Sequence, residues 1–146
     1  MCLTVYGKNL LRLKAQNDIR CYKIMGISKN GTLITPYVDF PMKKGKLYED
    51  KEDENIKYGC VINKKSYFNN FAINYGYMIY EGFFHTFVRN ADANINCDKL
   101  NRIRLNKDVI YHVYPCIIPS GSEYINGNYF NNEPVFASKK LMILDD

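Results

Sequence analysis

The sequence predicts an α+β fold: one compact domain over residues 1–146, built mainly on an antiparallel or mixed sheet with one or two short helices. Three observations predict it. Apolar residues alternate with a period of two in several segments, most clearly from Asp18 to Ile27 and from Val109 to Ile118. Turn-forming pairs such as Asn30-Gly31 and Ser120-Gly121 punctuate those segments. One segment, Asn90 to about Asn101, carries helix signals instead.

Taken in order, residues 1–17 admit either a short helix carrying Leu10, Leu11 and Leu13 or a loose arm. From Asp18 the alternation puts Ile19, Cys21, Met25 and Ile27 on one face and Arg20, Tyr22 and Ile24 on the other. Asn30-Gly31 tolerates the positive φ of a tight turn, and Leu33 to Phe40 forms the partner strand, with Pro36 at an edge or bulge. Residues 41–57 carry mixed charge around a small apolar island at Leu47-Tyr48, which reads as a solvated loop or edge hairpin. Tyr77 to Tyr80 and Phe83 to Val88 read as strands, the second with Phe83, His85 and Phe87 on one face.

Asn90 can cap a helix, Asp92 lies where the helix dipole favours negative charge, and Ala93, Cys97 and Leu100 form a narrow apolar stripe. Val109 to Ile118 is a long strand that Pro115 bends or bulges, with His112 half buried beside Tyr114 and Cys116. A turn at Pro119 to Ser122, a short extended piece at Tyr124-Ile125 and a final strand from Lys140 to Leu144 complete the chain.

Composition narrows the function classes. At 47% hydrophobic residues the chain holds enough apolar surface for a core, which excludes a polar disordered tail. No apolar run reaches the roughly 20 residues needed to span a bilayer, so no membrane role is expected. The net charge of +5 is dispersed, with Lys and Arg interleaved among Asp and Glu. Five cysteines stand at positions 2, 21, 60, 97 and 116 without a C-x-x-C pair, so neither a zinc site nor any other metal or cofactor is expected. Met1-Cys2-Leu3 opens no signal peptide, and reduced thiols in the cytoplasm follow as the expectation.

Several segments together carry a likeness: Asp18-Ile19-Arg20-Cys21-Tyr22-Lys23, Gly82-Phe83-Phe84-His85-Thr86-Phe87, and Cys116 to Gly127 followed by Ala137-Ser138-Lys139-Lys140-Leu141. This arrangement resembles small uncharacterised proteins of gut bacteria and their phages, and a domain found beside pentapeptide repeats. The resemblance covers most of the chain from Asp18 onward. Phe84 interrupts a tighter Gly-Phe-His pattern, and residues 51–77 form a local elaboration. What the resemblance implies is an accessory protein acting inside the cell, in the host cytoplasm if phage-encoded, and it carries over no catalytic residue.

The residues themselves offer four candidates. Cys2, exposed by methionine removal, could act as a nucleophile with its own α-amino group as base, and His85 could pair with it in space. Ser120, Gly121 and Ser122 offer hydroxyls and backbone N–H groups that could cradle a phosphate. Arg102 and Arg104, with Lys107, form a local basic patch, and Tyr80 and His85 supply aromatic recognition surface. For each, packing or a solvated connection is the plainer alternative. The first expectation is a binding module that recognises a small nucleotide-like ligand or a host protein through its tyrosines, asparagines and the basic patch, with a counter-defence role and an oligomer left open. The alternatives are an N-terminal-cysteine enzyme acting through Cys2 and His85 on a small substrate or nucleic-acid lesion, and a nucleic-acid binder through residues 99–107.

Overall fold

The computed structural model describes residues 3–6, 12–36, 39–50, 61–62, 77–80, 84–103, 107–129 and 132–145. Cys2, Cys60, Phe83 and Arg104 lie outside the described residues, as do the expected helix residues Leu10 and Leu11. Twelve strands form one sheet: β1 (Leu3–Tyr6), β2 (Leu13–Lys14), β3 (Ile19–Ile27), β4 (Leu33–Ile34), β5 (Leu47–Glu49), β6 (Val61–Ile62), β7 (Tyr77–Tyr80), β8 (Phe84–Phe87), β9 (Ile110–Ile118), β10 (Glu123–Asn128), β11 (Pro134–Ser138) and β12 (Lys140–Ile143). A single helix among the described residues, α1 (Asn90–Ile103), connects β8 to β9. Pairing is antiparallel throughout, in the order β5-β12-β9-β3-β8-β11-β10-β1-β7-β6, with β2 beside β10 and β4 beside β3. The expected α+β composition thus takes the form of a mostly antiparallel sheet with one helix.

The spine is β3 against β9, paired at nine successive positions from Ile19↔Ile118 to Ile27↔Ile110. Period-two alternation sends their side chains to two separate cores. Tyr22 and Ile24, with Tyr111 and Val113, pack under α1 against Ala93, Cys97 and Leu100. Cys21 and Met25, with Cys116 and Ile118, point the other way and join Met42, Leu141 and Ile143. The sheet therefore buries both faces here, which explains near-continuous apolar runs in β3 and β9.

The second core is enclosed by curvature. β11 and β12 are separated by Lys139 alone, yet β11 lies between β8 and β10 while β12 lies between β5 and β9. A flat sheet would hold those strands nearly 20 Å apart at about 4.8 Å per strand. One intervening residue cannot bridge that distance. The path β12-β9-β3-β8-β11 must therefore curl back on itself, and Leu141, Ile143 and Phe136 close over Cys21 and Cys116.

Three local expectations need correction, and one strand went unexpected. The partner of β3 after Asn30-Gly31 ends at Ile34, because Thr35 turns the chain: its N–H donates to Phe40 O at 2.9 Å and its Oγ1 accepts from Phe40 N–H at 3.0 Å. Pro115 neither bends nor bulges β9, since it faces Tyr22 within the unbroken register and presents only a carbonyl on its other edge, where Leu144 N–H donates to it at 2.9 Å. His112 is exposed, because β12 flanks β9 only at Cys116 and Ile117 and leaves this half of the strand uncovered. Finally, β11 is a strand that Pro134, Ala137 and Ser138 conceal in the sequence, and its two partners β8 and β10 impose it.

Candidate functional site

Among the described residues, His85, Arg102 and the Ser120–Ser122 turn are not brought together. His85 shares a face with Phe87, opposite Ala137, and is buried at 6% exposure beside the core under α1. Arg102 is exposed in the last turn of α1, whose neighbour Asn101 grips Tyr111 at the start of β9. Ser120 lies beyond the opposite end of β9, roughly 30 Å away at ~3.3 Å per residue. Tyr80 belongs to β7, which pairs with β1, and nothing further is described of its side chain.

The Ser120-Gly121-Ser122 turn has already used the groups that a phosphate needs. Ser120 N–H donates to the Asp18 carboxylate at 2.8 Å, Gly121 N–H to Ala15 O at 2.7 Å, and Ser122 N–H to Pro119 O at 3.1 Å. Asp18 thus serves as the turn's own anion. The Ser120 hydroxyl donates to Gln16 O at 3.2 Å, and the Ser122 hydroxyl accepts from Lys140 N–H at 3.2 Å. Gly121 adopts φ 84°, the left-handed region that favours glycine. The turn is a corner joint.

A different surface is concave but open to solvent. A trough of about 480 Å³ lies over β10 and β11, lined by Val88, Asn126, Asn128, Pro134 and Phe136 together with Gly127 and Val135. Register explains the lining: Asn126 stands opposite Phe136, and Asn128 opposite Pro134, so alternation brings all four side chains to one face. Tyr124, two residues before Asn126, meets the Phe136 ring edge-on at 5.6 Å and 90°. Two amides, each offering donors and an acceptor, therefore flank an aromatic and proline floor. None of the lining residues carries a titratable side chain.

Behind this surface the enclosed core holds a polar row that sequence reasoning missed. Lys23 faces Tyr114 across the register, inside the curl, and its Nζ donates to His85 O at 2.9 Å. Its ammonium is pushed below the usual lysine range by burial, against the opposing influence of Cys116 and Cys21. Burial raises Cys21 to about 11 and Cys116 to about 12, while Lys23 and local hydrogen bonds pull each in the other direction. Thiols held this far from ionisation are poor nucleophiles at neutral pH. Thr86 and Ser138 complete the row at 0% exposure. The alternation that marked Cys21 and Met25 as inward also marked Lys23, but a lysine's usual exposure hid the signal.

A second exposed surface lies at the other end of the sheet order, on the turn before β5. Lys44 Nζ sits 5.2 Å from the centre of the Tyr114 ring, and Lys46 Nζ 5.1 Å from that of Tyr48. No group of residues able to hold a metal ion occurs among the described residues, and no helix described is long and apolar enough to cross a membrane. No protein-family model, curated protein or solved structure matches the chain.

Proposed function

We propose that this chain is a binding module for a small nucleotide-like ligand and that the β10–β11 trough receives it. The observation that carries the reading is the pairing of Asn126 and Asn128 with Phe136 and Pro134 on one concave face. Small-molecule sites are concave, range over ~300–1,000 Å³, and combine apolar surface with a few polar groups that fix orientation. Asparagine amides match the adjacent donor and acceptor of a purine edge, and Phe136 offers apolar contact to a heterocycle. A lining without acids, bases or nucleophiles supports recognition over bond breaking. An accessory role in a bacterial or phage cytoplasm is the setting that the Cys116 to Gly127 resemblance suggests for such a module. The alternative enzyme draws no support from His85, which is buried at 6% exposure under the helix side of the sheet.

Titration calorimetry with adenosine, AMP, GMP, CMP and UMP tests the reading. Binding of at least one of them is expected, with Asn126→Ala and Asn128→Ala each weakening it about tenfold, the loss of one good polar contact. Absence of binding by all five at millimolar concentration overturns it.

A further inference from the structure

The mixed-charge segment, which reads as a solvated loop or edge hairpin, is pinned at four points. Met42 is inserted into the enclosed core at 1% exposure, and its N–H donates to Leu33 O at 3.0 Å. Gly45, at φ 75°, turns the chain so that its N–H donates to Ile143 O at 2.7 Å. The Tyr48 hydroxyl accepts from Lys43 N–H at 2.7 Å. β5 then continues into the sheet through Leu47↔Met142 and Tyr48↔Leu141. Three lysines with exposed side chains, Lys43, Lys44 and Lys46, are carried on this fixed turn.

Among the described residues, the contacts of Lys44 and Lys46 are aromatic rather than acidic. Lys44 and Lys46 rest over Tyr114 and Tyr48, and Phe40 meets Tyr48 edge-on at 6.1 Å while remaining 44% exposed. None of the three lysines forms an ion pair among the described residues. Glu49 follows Tyr48 on β5 and so points to the opposite face, opposite Lys140. A ring that holds an ammonium in place leaves its N–H donors directed outward and reduces the entropy lost on binding an anion.

We propose that Lys43, Lys44 and Lys46, with Phe40, form a binding surface for single-stranded nucleic acid. The lysines meet successive phosphates, and the exposed Phe40 ring stacks on an unpaired base. Duplex bases are already stacked and offer no face to Phe40, so the single strand is the preferred form. The site shares no residue with the trough and stands or falls apart from it.

Fluorescence anisotropy with a labelled oligothymidylate, measured over a range of potassium chloride concentrations, tests the surface. Three phosphate contacts predict a slope of log affinity against log salt near −2, since each contributes roughly −0.7 on a single strand. The triple variant Lys43→Ala, Lys44→Ala, Lys46→Ala should flatten that slope and weaken binding at least tenfold at low salt, with an unchanged circular dichroism spectrum. Phe40→Ala should weaken binding about tenfold and leave the slope as it is, one stacked base being worth ~1–3 kcal/mol. No binding at about 50 mM salt, an unaltered slope in the triple variant, or tighter binding of a duplex each overturns the proposal.

Discussion

Lys23 and its two thiol neighbours make the enclosed core sensitive to pH from both sides. Below the unfolded lysine value of 10.5, an unfolded chain binds a proton that the native Lys23 resists, so stability falls as pH drops from 10.5 towards the lowered native value. The cysteines act oppositely. Their native values of about 11 and about 12 lie above the unfolded 9.0, so their contribution is complete below pH 9 and is lost as pH rises through 11 and 12. Chemical denaturation across pH 7 to 12 should therefore show Lys23→Met more stable than the wild type at pH 7 and flatter between pH 7 and 10. Cys21→Ala should lose part of the decline above pH 9. A Lys23→Met variant with the wild-type dependence would falsify the assignment of the lower limb. At Gly26 the constraint is steric: an added Cβ comes within 2.3 Å of Val109 Cγ1 and 3.1 Å of Tyr111 Cε1. Gly26→Ala should cost ~1–3 kcal/mol by overpacking, measured as a lower denaturation midpoint at constant slope.

Between elements, side-chain amides do work that the apolar pattern leaves undone. Asn101 pairs with the Tyr111 peptide on both sides, donating to its O at 3.0 Å and accepting from its N–H at 2.9 Å. It covers the edge of β9 that β12 does not reach. Asn101→Ala should cost about 1–3 kcal/mol and raise amide exchange at Tyr111; unchanged exchange there would remove the role. Asn96 similarly ties α1 to the β10–β11 turn, donating to the Glu133 carboxylate oxygens at 3.1 and 3.0 Å and to Asp92 O at 2.8 Å. Strong local signals made some of this architecture legible. Ala93, Cys97 and Leu100 placed α1 correctly, and alternation identified β3 and β9 as strands. Tertiary partners decided the rest. Ala137 and Ser138 become strand only between β8 and β10, and Ser120 looked like an anion site because Asp18, 102 positions distant in the sequence, could not be seen beside it. The trough was equally hidden, since Asn126 and Phe136 acquire a common face only once their register is set.

For the molecule as a whole, the decisive joint is the passage from β11 to β12, where one chain segment changes neighbours and closes the curl. Three hydrogen bonds hold it: Lys139 N–H to Glu123 O at 2.9 Å, Asp50 N–H to Lys139 O at 2.8 Å, and Lys140 N–H to the Ser122 hydroxyl at 3.2 Å. Strands far apart in sequence thus converge on Lys139, and Ser122, only 3% exposed, supplies the one side chain among these bonds. Ser122→Ala removes an acceptor from a half-buried N–H and should lower stability by ~1–3 kcal/mol. Because the closure encloses Leu141 and Ile143, hydrogen exchange should quicken across β12 and the facing Cys116–Ile118 segment, while α1 stays protected. Nucleotide affinity in the trough should hold near the wild-type value, since Ser122 does not line it. Exchange that quickens uniformly, α1 included, would show that the curl and the helix layer open as one unit and that the corner is not a separate joint.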